Sequence, residues 1–204
     1  AMIELGLIVA CTNGVAPATV QAVIQVESAG NNWAVGAKAA LGRLPAPADR
    51  HQARQLSEAL IAAGHRVDMG LMQVNSVHLK RFGLTPDDLF DSCTNLFVGT
   101  TILAEFYRRA VRAGATRQEA LRAALSAYNT GSFVKGIHNG YVRKVEAYAG
   151  VHQSGSDVDA AVSPLRVRFK VERHANGAGR SDRERGGDGD AGAGRRAGSD
   201  RTGQ

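Results

Sequence analysis

The sequence is poor in aromatic side chains, which make up 5% of its residues, and it has one Trp. A nucleic-acid surface usually interleaves aromatics with a basic stripe. Residues 1–150 contain no such stripe, so nucleic acid is not an expected partner. There are two cysteines, Cys11 and Cys93, and neither belongs to a C-x-x-C pair. That argues against a zinc ribbon or thioredoxin chemistry. Their wide separation fits either one long-range disulfide or two buried thiols. The six His show neither H-E-x-x-H nor clustered ligand spacing, so no metal site and no cofactor are expected. A G-x-S-x-G elbow and a phosphate-cradling glycine loop are also missing. No apolar run approaches the roughly 20 residues needed to cross a bilayer, so an integral membrane protein is not expected. Met2–Ala10 is apolar but short and lacks the basic start of a signal peptide. It reads as the first residues of an already processed chain. No internal repeat is present.

The chain has 204 residues, 44% of them hydrophobic, enough for one domain with a real core and something beyond it. The net charge of +6 is spread along the chain and suits an acidic polymer, bacterial cell wall among them. Composition changes near residue 150. Residues 174–204 are mostly Gly, Arg, Asp, Ser and Ala, with hardly a side chain to bury, and are expected to be disordered. Within that tail, Leu165–Val171 alternates apolar and basic residues like a short strand, able to add to a partner's sheet edge. The domains are therefore read as 1–150 and a tail at 151–204.

The chain is organised around Ala16–Asn32. Pro17 suits a first helical position and Gly30 suits a left-handed exit. Val20, Val23, Ile24 and Glu27 then share one face. A carboxylate thus closes an apolar stripe. An unpaired charge there is costly, and the group takes up a proton instead. A Glu that starts near pKa 4.3 can rise by roughly one to several units and become a proton donor near neutrality. The bland alternative is a solvated charge or an ion pair.

Downstream, a helix is expected over Asp49–Ala63, with Ala53, Leu56, Leu60 and Ala63 on one face. V-D-M-G-L-M-Q-V-N-S follows at residues 67–76. Gln73 and Asn75 lie there among apolar neighbours, either facing a site or fixing a loop. Asp68 reads as a loop cap or a second carboxylate. Ser76 is expected to cap a short helix ending at Phe82, and Thr85-Pro86-Asp87-Asp88 to start another. A long helix is predicted over Thr94–Ala113, with Leu96, Gly99, Leu103, Phe106 and Ala110 in one stripe. Thr116-Arg117-Gln118-Glu119 is a capping box. The helix it starts points Tyr128 inward, where the hydroxyl needs a partner. A last helix is predicted over Tyr141–Ala149. The arginines of Phe106–Arg122 read as a solvated basic face, and Trp33 as partly core.

E-S-A-G-N at Glu27–Asn31, G-L-M-Q-V-N at Gly70–Asn75 and A-Y-N-T-G at Ala127–Gly131 occur in that order. Together they resemble the lytic transglycosylase family, with its goose-type lysozyme fold, over about residues 8–150. The helix before D-x-G-L-M-Q, and D-S-C-T-N-L at Asp91–Leu96, look more like the small enzymes of type IV secretion systems, with similar ones in type III systems. The resemblance implies a mainly α, lysozyme-like domain with a small extended region beside its groove. It implies periplasmic cleavage of peptidoglycan between N-acetylmuramic acid and N-acetylglucosamine, leaving a 1,6-anhydro end and opening the wall for a secretion or conjugation apparatus. Peptidoglycan strands and secretion-system proteins are the implied partners.

Glu27 takes the position of the single catalytic acid and base. Ser28, Gln73, Asn75 and Tyr128 match positions that line the groove or orient the acid, Gly70 and Met72 match its wall, and Asn129 a further motif position. A Cys11–Cys93 disulfide is implied as well. Two departures stand out: Asn31-Asn32 replaces the frequent Asn-Pro, and Ala29 stands where Gly is common, tolerable if its φ stays negative. Two other readings compete. A hydrolytic muramidase needs a second carboxylate, for which Asp68 is the nearest candidate. A non-catalytic wall-binding assembly factor would have no need of Glu27, Gln73 and Tyr128.

Overall fold

The computed structural model describes residues 3–37, 42 and 44–153. The strand-like stretch at 165–171 and the low-complexity tail fall outside them. Eight α-helices carry the described chain, in keeping with the expected mainly α class: α1 (Leu5–Cys11), α2 (Pro17–Ser28), α3 (Arg50–Ala62), α4 (Leu79–Phe82), α5 (Ser92–Arg112), α6 (Arg117–Thr130), α7 (Lys135–His138) and α8 (Tyr141–Gln153). Three short antiparallel strands, β1 (Val35–Ala37), β2 (Val67–Met69) and β3 (Val74–Asn75), form a sheet in the order β1-β2-β3. Asp68 is the hub of that sheet, opposite Gly36 on one side and Asn75 on the other.

Local chemistry sets most helix ends. Asp49 caps α3 by accepting from Gln52 N, and Asp91 caps α5 by accepting from Thr94 N. The capping box at α6 is complete: Thr116 and Glu119 each satisfy the other's backbone N–H. Gly131 ends α6 at φ 73°. Three expectations are corrected. Asn75, not Ser76, caps the 3₁₀ turn Ser76–His78, accepting from Val77 N, while the Ser76 hydroxyl accepts from Val67 N across the hairpin. The acids after Pro86 start a 3₁₀ turn, Asp87–Phe90, rather than an α-helix. In α3 Ala53 is buried and Leu60 packs against the core as expected, Ser57 is buried with them, and only Ala63 departs, being exposed. Arg50 ties the start of the helix to the 87–90 turn by two bonds to the Asp87 carboxylate.

The core lies between α2, α5, α6 and α8. From α2 it takes Val20, Val23 and Ile24, from α5 Leu96, Ile102 and Leu103, and from α8 Val142 and Val145. Each such side chain contributes about 1.5–3 kcal/mol by leaving water. The pairing left open by spacing is now defined: Cys11 and Cys93 form a disulfide that joins the end of α1 to the first turn of α5. The turn after α1 is also fastened to α5, because Asn13 N donates to Thr100 Oγ1 at 3.0 Å.

Candidate functional site

Glu27 occupies the last turn of α2, as the apolar stripe predicts. The residue after the helix is the unusual one. Ala29 is the left-handed residue at φ 52°, and Gly30 follows at φ 79°. The condition set for tolerating Ala29, a negative φ, is therefore not met. A side chain with a Cβ costs about 1–2 kcal/mol in that region. Ser28 holds the exit in place, its hydroxyl donating to Ile24 O at 3.1 Å and Leu71 O at 2.7 Å. The end of α2 is thereby bolted to the turn between β2 and β3. Where Asn-Pro is frequent, two side chains stiffen this loop instead. Asn31 Oδ1 accepts from Trp33 N at 2.8 Å, and Asn32 Oδ1 accepts from Ser92 Oγ at 3.1 Å. Trp33 packs half-buried against the core.

The β2–β3 turn is built on close backbone approach. Gly70 has φ 74°, and a Cβ on it would lie 2.3 Å from Asn95 Nδ2 and 2.5 Å from Leu89 O. Asn95, buried on α5, is the clamp. Its amide donates to Met69 O and Leu89 O, and its oxygen accepts from Met72 N at 2.8 Å. Gln73 leaves the turn at φ 49° and donates through Nε2 to Ala34 O and Gly70 O, both at 3.0 Å. A Cβ at Gly36 would come within 2.7 Å of Gln73 Oε1, so glycine is what admits the amide. Asn75 Nδ2 donates to Asp68 Oδ1 at 2.7 Å. Both amides that sequence reading left undecided therefore fix the loop, and both also line a cleft.

Tyr128 finds its predicted partner: its hydroxyl donates to Met72 O at 2.8 Å. Gly99 on α5 makes this approach feasible, because a Cβ there would meet Met72 Sδ at 2.7 Å and Tyr128 Oη at 3.1 Å. Gly70 and Met72 are buried, Met72 at 0% exposure, and they line neither cleft; they support the wall from behind. Asn129 is exposed, and its oxygen accepts from Asn139 Nδ2 at 3.1 Å. Asn139 Oδ1 in turn accepts from Tyr141 N, so Asn129 helps to aim the start of α8.

That aim matters because the residue it positions touches the carboxyl. Tyr141 Oη donates to Glu27 Oε1 at 2.6 Å, across 114 residues of sequence. Sequence reading passed over Tyr141, since G-Y-V-R-K-V reads only as the start of an amphipathic helix. A Tyr in phase with buried Val142 and Val145 was the available signal. Burial pushes the Glu27 pKa up to about 7, opposed by the Tyr141 hydroxyl and assisted by the charge of Asp68. Burial likewise raises Asp68, opposed by its Asn75 bond. The Tyr128 and Tyr141 hydroxyls are held well above their ordinary values by burial first and by the Glu27 charge next. Both remain proton-bearing donors.

Two clefts meet at Gln73. One, about 390 Å³, is walled by Glu27, Ser28, Asn31 and the Leu44–Pro47 segment. The other, about 450 Å³, holds Asp68, Asn75, Tyr128 and Asn129. Glu27 thus lines one of two neighbouring concavities, and Gln73 borders both. No group of three or more potential metal-ligating side chains occurs among the described residues. No described helix is long and apolar enough to cross a membrane.

Comparison with known proteins agrees with this arrangement. Residues 7–149 match the transglycosylase SLT domain model. Protein virB1 of Agrobacterium fabrum is 39% identical over 168 residues, covering 82% of this chain and 64% of its own length. Protein virB1 of Rhizobium radiobacter is 39% identical over 142 residues, covering 68% of this chain and 57% of its own length. The chain thus spans less than two thirds of these two relatives. Type IV secretion system protein virB1 of Brucella abortus biovar 1 is 40% identical over 183 residues, 81% of this chain and 76% of its own length. No solved structure matches. With the domain match running from α1 to α8, the chain belongs to the transglycosylase SLT domain family.

Proposed function

We propose that the chain is a peptidoglycan lytic transglycosylase with Glu27 as its catalytic acid and base. The observation that carries this reading is a carboxyl group whose pKa burial pushes up to about 7, bonded to the Tyr141 hydroxyl and lining an open cleft. The protonated Glu27 donates to the glycosidic oxygen between N-acetylmuramic acid and N-acetylglucosamine, and the C1–O4 bond breaks. The carboxylate left behind is stabilised by the Tyr141 O–H. It then takes the proton from the muramyl C6 hydroxyl as that oxygen bonds to C1. The acid is regenerated, no water is consumed, and the product ends in 1,6-anhydro-N-acetylmuramic acid. One carboxyl does both proton transfers, so the second carboxylate of an ordinary glycosidase is not required. Gln73, Asn75 and Asn129 face the strand, while Ser28 and Tyr128 hold the acid and the turn in register.

Digested sacculi should release anhydromuropeptides detectable by mass spectrometry. A hydrolytic muramidase is the second reading, favoured by one observation: Asp68 is near enough to raise Glu27 and lines the adjoining cleft. Digestion in ¹⁸O-water separates the two. Label in reducing muramyl ends, lost in Asp68→Asn, would support hydrolysis and sink the transglycosylase reading. The third reading, a non-catalytic assembly factor, predicts no product at all.

The Brucella relative's description as a type IV secretion system protein supports a role in opening the wall locally for such an apparatus. Secretion-system proteins are then the partners. A periplasmic location is supported by the Cys11–Cys93 bridge, which needs an oxidising compartment.

A further inference from the structure

A further concavity, of about 460 Å³, shares no lining residue with the two clefts at Gln73. It is bordered by the end of α1, the residues that close and follow α4, and the first turns of α5. Phe82, Leu84 and Phe97 give it apolar walls, and both residues of the Cys11–Cys93 bond line it. Phe97 is 50% exposed, and Val9, next in sequence to the lining residue Ala10, is 62% exposed. The position of Phe97 on α5 sets the direction of this face. Successive helical residues are about 100° apart, so Phe97 stands about 200° round the helix from Asn95. Asn95 grips the β2–β3 turn, so the Phe97 face looks away from that turn and its clefts.

An apolar concavity alone says little about its occupant. The disulfide in this one says more. Disulfides exchange with thiolates, at rates set by access to the attacked sulfur and by the supply of thiolate. Cys93 is exposed while Cys11 is buried, so access directs attack to Cys93. An ordinary thiol is mostly protonated at neutral pH, whereas the first cysteine of a C-x-x-C pair can have a pKa near about 7 and supply far more thiolate. A protein that carries such a pair beside an apolar surface would cover Phe97 while presenting its thiolate to Cys93.

We propose that this cleft docks a protein bearing a C-x-x-C dithiol, which opens the Cys11–Cys93 bond by attack at Cys93. The partner's first thiolate bonds to Cys93 Sγ, the Cys11–Cys93 bond breaks, and Cys11 leaves as a thiolate that takes up a proton. The partner's second cysteine, as thiolate, then displaces Cys93, which takes up a proton in turn. The partner ends as a disulfide, two electrons poorer, and this chain ends with two thiols. Opening the bond unfastens the end of α1 from α5, so exchange here governs how long the folded domain lasts, from a face that leaves the Glu27 cleft free.

The test uses the full oxidised chain with two reductants: reduced thioredoxin, which has a surface to dock, and dithiothreitol, which has none. New thiols are counted by alkylation and mass spectrometry. At equal thiolate concentration thioredoxin should open the bond about tenfold faster or more, the scale of one aromatic anchor. Phe97→Glu, at a half-exposed position, should remove most of that advantage and leave the dithiothreitol rate unchanged, while Phe97→Leu should keep most of it. A thioredoxin with serine in place of its second cysteine should be trapped as a mixed disulfide, and peptide mapping should find it on Cys93. Equal rates with the two reductants, a thioredoxin rate unmoved by Phe97→Glu, a loss shared by dithiothreitol, or a trap on Cys11 would each overturn the inference. None of these readouts needs turnover of peptidoglycan, so they are independent of the function proposed above.

Discussion

Glu27 holds its proton because burial leaves it little water, an effect that outweighs the Tyr141 donor, which favours the charged form. Glu27→Gln keeps the shape and can neither give nor take the proton. General acid–base help is typically worth 10²–10⁴-fold, roughly, and both roles are lost, so release of anhydromuropeptides should fall below detection. The same variant reports on stability. The folded pKa of about 7 lies above the ordinary 4.5. Below pH 4.5 the carboxyl is neutral whether the chain is folded or not. As pH rises through 7 the folded site must accommodate a charge that water solvates better, and stability falls. Glu27→Gln escapes that loss. Its melting temperature should exceed the parent's by more at pH 8 than at pH 5, and a gap independent of pH would contradict the raised pKa. Tyr141→Phe removes the one contact that pulls the Glu27 pKa down. The alkaline limb of its activity profile should move upward. Its kcat should drop about tenfold to a hundredfold, the scale of a hydrogen bond to a charged group.

At the scale of elements, the turn between β2 and β3 carries the tightest geometry. Asn95 serves three backbone groups from one buried amide. Asn95→Leu fills the space but leaves those groups unpaired at about 1–3 kcal/mol each, so urea denaturation should show a loss of several kcal/mol. Ala29→Gly should do the opposite and add about 0.5 kcal/mol. It relieves the left-handed strain, partly offset by the greater freedom of an unfolded glycine. Much of this was legible in the chain. Pro17, the Thr116–Glu119 box and the stripes of α2, α5 and α6 are local patterns, and local patterns survive folding. The inward Tyr128 followed from helix phase alone. What stayed hidden depended on distance. Nothing near Asn95 says that its amide will meet residues 69, 72 and 89. The left-handed φ of Ala29 was masked by Gly30 beside it, the more natural candidate. Tyr141 was hidden because its partner is on another helix. Asn75 took the capping role from Ser76 because the hairpin drew the serine hydroxyl to Val67.

For the molecule as a whole, the disulfide closes a span of 82 residues, from before the acid-bearing helix to after the groove turn. Chain-entropy arguments put such a cross-link at about 4 kcal/mol. Reduction, or Cys93→Ser, should therefore lower the urea midpoint markedly, and limited proteolysis should then cut first around α1. A chain ending at Gln153, the last described residue of α8, contains every residue given a part in cleavage and should digest sacculi at close to the parental rate. Loss of lysis or of folding in that truncated chain would mean that the remainder is needed by the domain. The contact between Tyr141 and Glu27 has one more implication, which concerns time rather than geometry. Synthesis runs from the N-terminus, so the carboxyl leaves the ribosome more than a hundred residues before the hydroxyl that tunes it. An unfinished chain, or one clipped before α8, carries the acid without its partner. An acid tuned from so far along the chain acquires its partner only when α8 has been made, and loses it when a break between Glu27 and Tyr141 lets α8 leave.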